Sequence, residues 1–93
     1  MVVKFGILLP TRGILLKSSK PDFDQILSMA EISESENLES LWVGDSLTAK
    51  PRLDPLNTLA AISTRTKKIL LGTAVLLPSL REPITLCRSL NTL

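Results

Sequence analysis

The sequence contains no histidine, no tyrosine and a single cysteine among its 93 residues. Without histidine there is no imidazole for a catalytic triad or for zinc ligation, and we expect no metal site. Cys87 cannot form an internal disulfide, which argues against a disulfide-built secreted scaffold and makes the cytoplasm the expected location. Its position in a helical pattern predicts a half-buried small side chain rather than a nucleophile.

Signals of a membrane or nucleic-acid partner are also missing. No apolar run approaches the ~20 residues that span a bilayer, and the N-terminal residues lack a secretory cleavage pattern. The net charge is +2, and the Lys and Arg residues are scattered except at Arg65, Lys67 and Lys68. That group closes a predicted helix, where cations complement the helix dipole. No aromatic stacking platform accompanies it, so we expect neither a membrane nor a nucleic acid as partner.

What the sequence does contain is a repeated alternation of strand-like and helical patterns. A composition of 44% apolar and 22% charged residues indicates a globular domain. Apolar runs with little alternation predict buried parallel strands over 2–9, 40–43 and 68–77. Capping residues predict helices that begin at Asp22, Asp54 and Glu82 and end near Asn37, near Thr66 and at the end of the sequence.

The strand–helix repeat predicts the α/β class with a parallel sheet. No GxGxxG follows the first strand and no P-loop motif occurs, so dinucleotide-binding and P-loop folds are disfavoured. Three parallel strands complete neither a barrel nor an ordinary sheet, and the last helical pattern has no stop signal. We therefore expect residues 1–93 to be one partial domain, truncated at the C-terminus.

Candidate chemistry lies after the strands, because ligands of such domains bind at the C-terminal strand ends. Asp45 is the only carboxylate at such an end. It is either a polar anchor for a ligand or the first residue of an Asx turn, and spacing alone favours the turn. Arg12 follows the first strand and could meet an anion, although a solvated loop cation is the commoner case. Trp42 lies within the second strand and is expected in the core.

Specific strings of residues resemble the bacterial luciferase-like flavin-dependent monooxygenases, in the order of that family. They are Phe5-Gly6-Ile7-Leu8-Leu9-Pro10-Thr11-Arg12-Gly13, Leu41-Trp42-Val43-Gly44-Asp45-Ser46-Leu47 with Lys50-Pro51-Arg52-Leu53-Asp54-Pro55-Leu56, and Leu71-Gly72-Thr73-Ala74-Val75-Leu76-Leu77-Pro78 with Arg81-Glu82-Pro83. The resemblance implies the first three βα units of a TIM (β/α)8 barrel. The strands should then be adjacent in the order 1-2-3 with the helices on one side, whereas the order 2-1-3 would indicate a doubly wound fold.

The resemblance also implies a flavin coenzyme. In monooxygenase members of the family, reduced FMN and O2 oxidise a small organic substrate; members of a related branch exchange hydride with an 8-hydroxy-5-deazaflavin coenzyme. A non-prolyl cis peptide beneath the flavin ring maps onto Ala74-Val75, and a polar position that faces the cofactor pocket maps onto Asp45. These three residues are the predicted cofactor-binding residues. Ser46 stands where several deazaflavin members have His, which favours FMN.

Three functions follow as hypotheses. The chain is the N-terminal part of a flavin-dependent monooxygenase, or of a deazaflavin-dependent hydride-transfer oxidoreductase, or it is a non-catalytic remnant or association module. Flavin phosphate sites of such barrels are built by the loops after strands seven and eight. Because those loops lie outside these residues, we expect the chain alone to be inactive. The open edge of the incomplete barrel is expected to favour self-association.

Overall fold

Strands and helices alternate along the chain in the predicted order. The computed structural model describes residues 2–17, 20–48 and 50–93. Its strands are β1 (Gly6–Leu8), β2 (Ser40–Val43) and β3 (Leu70–Thr73). Its α-helices are α1 (Gly13–Lys17), α2 (Asp24–Ser35), α3 (Pro55–Ser63) and α4 (Pro83–Thr92), and a short 3-10 turn covers Pro78–Leu80.

The strands form one parallel sheet in the order β1-β2-β3, which confirms the predicted barrel arc and excludes the doubly wound order. The register places Leu8, Trp42 and Gly72 in one row across the sheet. Parallel pairing needs a crossover between successive strands, and α2 and α3 supply it. The described residues therefore form part of a (β/α)8 barrel.

The ends of several elements differ from the sequence-based expectation. Both outer strands are shorter than predicted, β1 beginning at Gly6 and β3 ending at Thr73. The segment after β1, predicted as a loop, contains α1, whose five residues are too few to show a helical period. One of them, Ile14, is buried in the core. The peptide bond between Ala74 and Val75 is cis, as the resemblance implies.

Polar side chains cap the N-termini of α3 and α4, whereas the N-cap of α2 is Phe23 rather than the expected Asp22, whose carboxylate accepts from the Asp24 N–H. The Asp54 carboxylate accepts a 2.9 Å hydrogen bond from the Asn57 N–H at the start of α3, and Glu82 caps α4 in the same way. After α2, Asn37 has a φ of 61° in the left-handed region. Asn tolerates this conformation, and the Leu38 N–H closes the helix on the Ser33 carbonyl at 3.0 Å.

The two faces of the sheet have different environments. The face under the helices is the core. It is built by residues in or next to the strands and by the helical residues that cover them: Leu9, Leu41, Val43 and Ile69 with Ile14, Ile26, Ala30, Leu59 and Ile62. The opposite face is open, and Leu8 and Leu70 there are 59% and 60% exposed. Trp42 lies on this open face and is 38% exposed, so the expectation of a core tryptophan was wrong.

Two helix faces also differ from the expectation. The helical spacing of Leu56, Leu59, Ala60 and Ser63 predicts that they share one face of α3. Leu56 and Leu59 are buried, but Ala60 and Ser63 are exposed, and Thr58 and Ile62 are buried instead. The reason is that Ala60 and Ser63 line an open groove of about 530 Å³ between α3 and α4. Across that groove, α4 has no buried side chain, and Cys87 is exposed rather than half-buried.

Candidate functional site

An ion pair joins the ends of β2 and β3 at the C-terminal edge of the sheet. Asp45 lies two residues after the end of β2, and its side chain is only 2% exposed. Its Oδ2 accepts hydrogen bonds from the Leu77 N–H at 3.0 Å and from Arg81 Nη2 at 2.9 Å. Arg81 Nη1 also lies 3.4 Å from Asp54 Oδ1, the cap of α3. We call this group, Asp45 with Arg81, Asp54 and the Leu77 N–H, the edge clamp.

Electrostatics keep the edge clamp charged. Burial alone would raise the pKa of Asp45, but the hydrogen bonds from the Leu77 N–H and from Arg81 outweigh burial and lower that pKa. The hydrogen bond to Asp45 in turn raises the pKa of Arg81. Asp45 is therefore a fixed anion at neutral pH rather than a proton donor. The Asp45 carboxylate thus bonds across to the loop after β3, a pairing that the local Asx turn favoured by spacing does not include. Its other expected role, a polar anchor for a ligand, stays a prediction.

The segment after β3 is pinned to β2 on both sides of the cis peptide. The Ala74 N–H donates to the Val43 carbonyl at 2.8 Å, and the Leu77 N–H donates to Asp45. Between these two anchors Ala74 is exposed and the Val75 side chain is 67% exposed. An apolar surface is thus presented at the C-terminal edge by backbone that is held at both ends.

The Trp42 indole lies across the open face beneath this edge. Its Nε1 donates to Ser40 Oγ at 2.8 Å. A Cβ atom added to Gly72 would lie 2.6 Å from the indole Cζ3, and one added to Gly6 would lie 2.9 Å from Nε1. Because Gly72, paired with Trp42, and Gly6, paired with Ser40, have no side chains, the ring extends over all three strands. The Trp42 indole therefore forms a wide aromatic surface on the open face, below the C-terminal edge of the sheet.

Two further arginines reach the same edge from different loops. Arg12, after β1, donates from Nη2 to Ser46 Oγ at 3.1 Å. Arg52, before α3, donates from Nη1 to Thr11 Oγ1 at 3.3 Å, and its guanidinium covers Gly44, where a Cβ would lie 2.8 Å from Cζ. Arg12 is half-buried, so the expectation of a solvated loop cation was wrong.

The structure brings together the three predicted site residues and adds partners that the sequence reasoning missed. Asp45 and the Ala74–Val75 segment are joined through the Leu77 N–H. Arg81 and Arg52 were not singled out as site residues. One signal could have identified Arg81: a lone carboxylate at a strand end needs a cation, and Arg81 is the only one in the loop that follows the third strand.

The class of protein defined by these features is a parallel βα barrel, of which the described strands form an arc with charged and apolar side chains at the C-terminal edge. The chain belongs to the luciferase-like monooxygenase family, whose model matches residues 3–93. This is a family of flavin-dependent oxidoreductases. Comparisons with curated proteins and with solved structures gave no match.

Metal-binding clusters and membrane-spanning helices are both absent from the described parts of the chain. Within residues 2–17, 20–48 and 50–93, no group of three or more His, Cys, Asp or Glu side chains is arranged to hold a metal ion. No helix in these same ranges is both long enough and apolar enough to cross a membrane.

Proposed function

We propose that the chain supplies the N-terminal units of a flavin-dependent monooxygenase that uses reduced FMN and O2 to oxidise a small organic substrate. One observation carries the proposal: the exposed Ala74–Val75 segment lies at the C-terminal edge of β3 and is fixed to the end of β2. Ligands of parallel βα barrels bind at this edge. Family membership supplies the flavin class.

The residues at this edge suit one wall of a flavin-ring pocket. Ala74 and Val75 offer an exposed apolar surface of the kind that packs against a planar ring. Bound reduced FMN would supply the electrons that activate O2. In this proposal Ala74 and Val75 contact the ring. Asp45 lines the cofactor pocket through the backbone it holds, because its carboxylate fixes the Leu77 N–H two residues beyond Val75.

FMN is preferred over the deazaflavin coenzyme because of the residue after Asp45. Several deazaflavin members carry an imidazole there, whereas this chain has Ser46, whose hydroxyl accepts a hydrogen bond from Arg12. A hydroxyl in this position offers no group that titrates near neutral pH. We place the enzyme in the cytoplasm, since its single cysteine cannot form an internal disulfide.

The described residues by themselves are proposed to be inactive. Much of the binding energy of FMN comes from charge-assisted hydrogen bonds to its phosphate, and the loops that usually provide them follow strands seven and eight of the barrel. The open sheet face also leaves the ring wall in contact with water. Electrostatic stabilisation of a reaction needs a closed, water-excluding site.

Two experiments test the proposal. In the first, fluorescence titration of the purified chain with FMN should give only weak binding. A dissociation constant in the low micromolar range would contradict the proposal that the chain alone is inactive.

In the second, residues 3–93 should replace the matching units of an active luciferase-like monooxygenase with retention of FMN-dependent O2 consumption. In that chimera Asp45→Asn should weaken FMN binding, and Glu31→Gln, which breaks an exposed ion pair elsewhere, should not. Equal FMN affinity in the two variants would remove the role given to Asp45.

A further inference from the structure

We propose that Arg12 and Arg52 form an oxyanion-binding subsite at the C-terminal edge of the sheet, which takes the carboxylate, sulfonate or phosphate group of a small molecule. We call these two guanidinium groups the arginine pair. The proposal deepens the proposed function and rests on it only where it assigns the anion to the substrate of the flavin enzyme.

The first observation is that the arginine pair lacks counter-charges. Ion pairs in the described ranges engage Lys4, Arg65 and Arg81, whereas Arg12 and Arg52 have hydroxyl partners only. The Nε atoms of Arg12 and Arg52 are buried and have no hydrogen-bond acceptor. The Nε of Arg81 is in the same state, but the rest of that guanidinium is neutralised by Asp45 and Asp54. A partly buried cation without a carboxylate is costly unless an anion approaches it.

The second observation is that the two groups converge. Arg52 donates to Thr11, the residue before Arg12, and Arg12 donates to Ser46, two residues after the Gly44 that Arg52 covers. Each guanidinium therefore bridges the β1 and β2 loops, and both do so at the C-terminal edge of the sheet. Guanidinium forks bind carboxylates and phosphates through parallel N–H donors, which gives both affinity and orientation.

The third observation is the direction that the pair faces. Gly44 follows Trp42 by two positions and so shares its side of the sheet, the open side that lines the interior of a closed barrel. The Arg52 guanidinium covers Gly44 on that side, at the height of the strand ends. The nearby carboxylates cannot neutralise it, because Arg81 holds both Asp45 and Asp54. Net positive charge therefore faces the ligand space.

The oxyanion has two chemical sources, the substrate or the flavin phosphate. The proposed function places the flavin phosphate at loops after strands seven and eight. We therefore assign the group at the arginine pair to the substrate, which makes the substrate class a small organic acid or ester of an oxyacid.

The test uses the chain with inorganic phosphate as the probe and without flavin, so that it fails or succeeds independently of FMN binding. Nitrogen-labelled chain is titrated with sodium phosphate against sodium chloride at equal ionic strength, and the side-chain Nε–H signals of the arginines are followed by NMR. We expect a saturable shift at Arg12 and Arg52 that chloride does not reproduce. Arg52→Lys and Arg12→Lys, which keep the charge and lose the fork, should each weaken phosphate binding about tenfold. The matched control Arg65→Lys should leave it unchanged.

Several results would overturn the proposal: no phosphate-specific shift, a shift of equal size at Arg65, or unchanged affinity in both Lys variants with the sheet amide signals intact. If Arg52→Lys loses those sheet signals, the Arg12→Lys variant decides alone. A competition arm identifies the source of the anion. FMN that displaces phosphate at a lower concentration than methyl phosphate does would overturn the substrate assignment, and FMN that competes no better than methyl phosphate would support it.

Discussion

At the scale of single residues, the edge clamp is the contact on which the site depends most. Asp45 is almost fully buried, and its carboxylate satisfies both the Arg81 guanidinium and the Leu77 N–H. Exposed ion pairs contribute little to stability because water screens them, but a buried pair that loses one partner leaves the other charge uncompensated. The clamp therefore couples the position of Ala74 and Val75 to the stability of the sheet edge.

The first prediction is that Asp45→Asn lowers the free energy of unfolding by roughly 2–3 kcal/mol, since Arg81 loses its closest anion in a buried setting. Urea denaturation followed by the emission of Trp42 measures the change. Glu31→Gln is the matched control, because its pair with Arg65 has side chains 47% and 53% exposed. It should cost less than about 0.5 kcal/mol. Equal losses in the two variants would contradict the structural role of the clamp.

The second prediction concerns pH. Burial raises the pKa of Asp45, but the hydrogen bonds from the Leu77 N–H and Arg81 outweigh burial and set that pKa below its ordinary value. The folded state therefore binds fewer protons than the unfolded state, and this stabilisation is present above the unfolded Asp pKa of about 3.9 and is lost as the pH falls through the folded pKa. Glu34 and Glu82 also have lowered pKa values. The stability gap between the chain and Asp45→Asn should thus be constant near neutral pH and shrink in acid. A gap independent of pH in acid urea titrations would contradict this.

The third prediction concerns the space that glycine leaves beside Trp42. A Cβ at Gly72 would lie 2.6 Å from the indole, so Gly72→Ala must tilt the ring away from β3. We expect a red-shifted Trp42 emission and a free energy of unfolding that is lower by about 1 kcal/mol. This is the low end of the range for overpacking, because the open face lets the ring move. Gly13→Ala is the control, since its Cβ would meet Pro10 at an ordinary 3.5 Å. Unchanged emission in Gly72→Ala would show that the indole does not cover this strand.

At the scale of elements, the carboxylate of Glu34 fixes the entry of β3 onto the sheet. Its Oε2 accepts three consecutive backbone N–H groups, from Lys67 at 2.8 Å, Lys68 at 2.7 Å and Ile69 at 3.0 Å. These hydrogen bonds, that from Lys68 first, lower the pKa of Glu34. A side chain near the end of α2 thereby holds the backbone that links α3 to β3.

The fourth prediction follows from that contact. Glu34→Gln replaces a charged acceptor by a neutral one, which weakens hydrogen bonds from backbone N–H groups. Amide hydrogen exchange at Lys67, Lys68 and Ile69 should accelerate, while the amides of β1 should keep their protection. Glu36→Gln, two residues further along and without these contacts, serves as the control. Protection that is unchanged at all three amides would contradict the role of Glu34.

The elements also show which features a sequence can predict. The strands and the caps at Asp54 and Glu82 were predictable, because apolar runs and capping residues are local signals. The pairing of Asp45 with Arg81 spans 36 residues and has no local signature. Trp42 was expected in the core because the apolar pattern of its strand does not show that helices cover only one face of the sheet; Trp42 lies on the other face.

At the scale of the whole molecule, the open face of the sheet is the feature that most affects behaviour in solution. Leu8, Trp42 and Leu70 expose apolar surface on it, and β3 has an unpaired outer edge. In a closed barrel this face would be covered by the other strands and the β3 edge would be paired. Exposed apolar patches and unpaired strand edges favour association with a second chain.

The last prediction is that the chain self-associates through this face and that charge on the face prevents it. Leu70→Lys places a cation on the open face at the β3 edge, where it must be desolvated in any face-to-face contact, so the apparent mass should fall toward that of the monomer. Ile32→Lys is the matched control, because Ile32 is also 60% exposed but lies on α2, which covers the opposite face. Light scattering coupled to size-exclusion chromatography over a range of protein concentrations measures both variants. A chain that stays monomeric at high concentration would contradict self-association. An equal effect of the two substitutions would show that the chains associate through another surface.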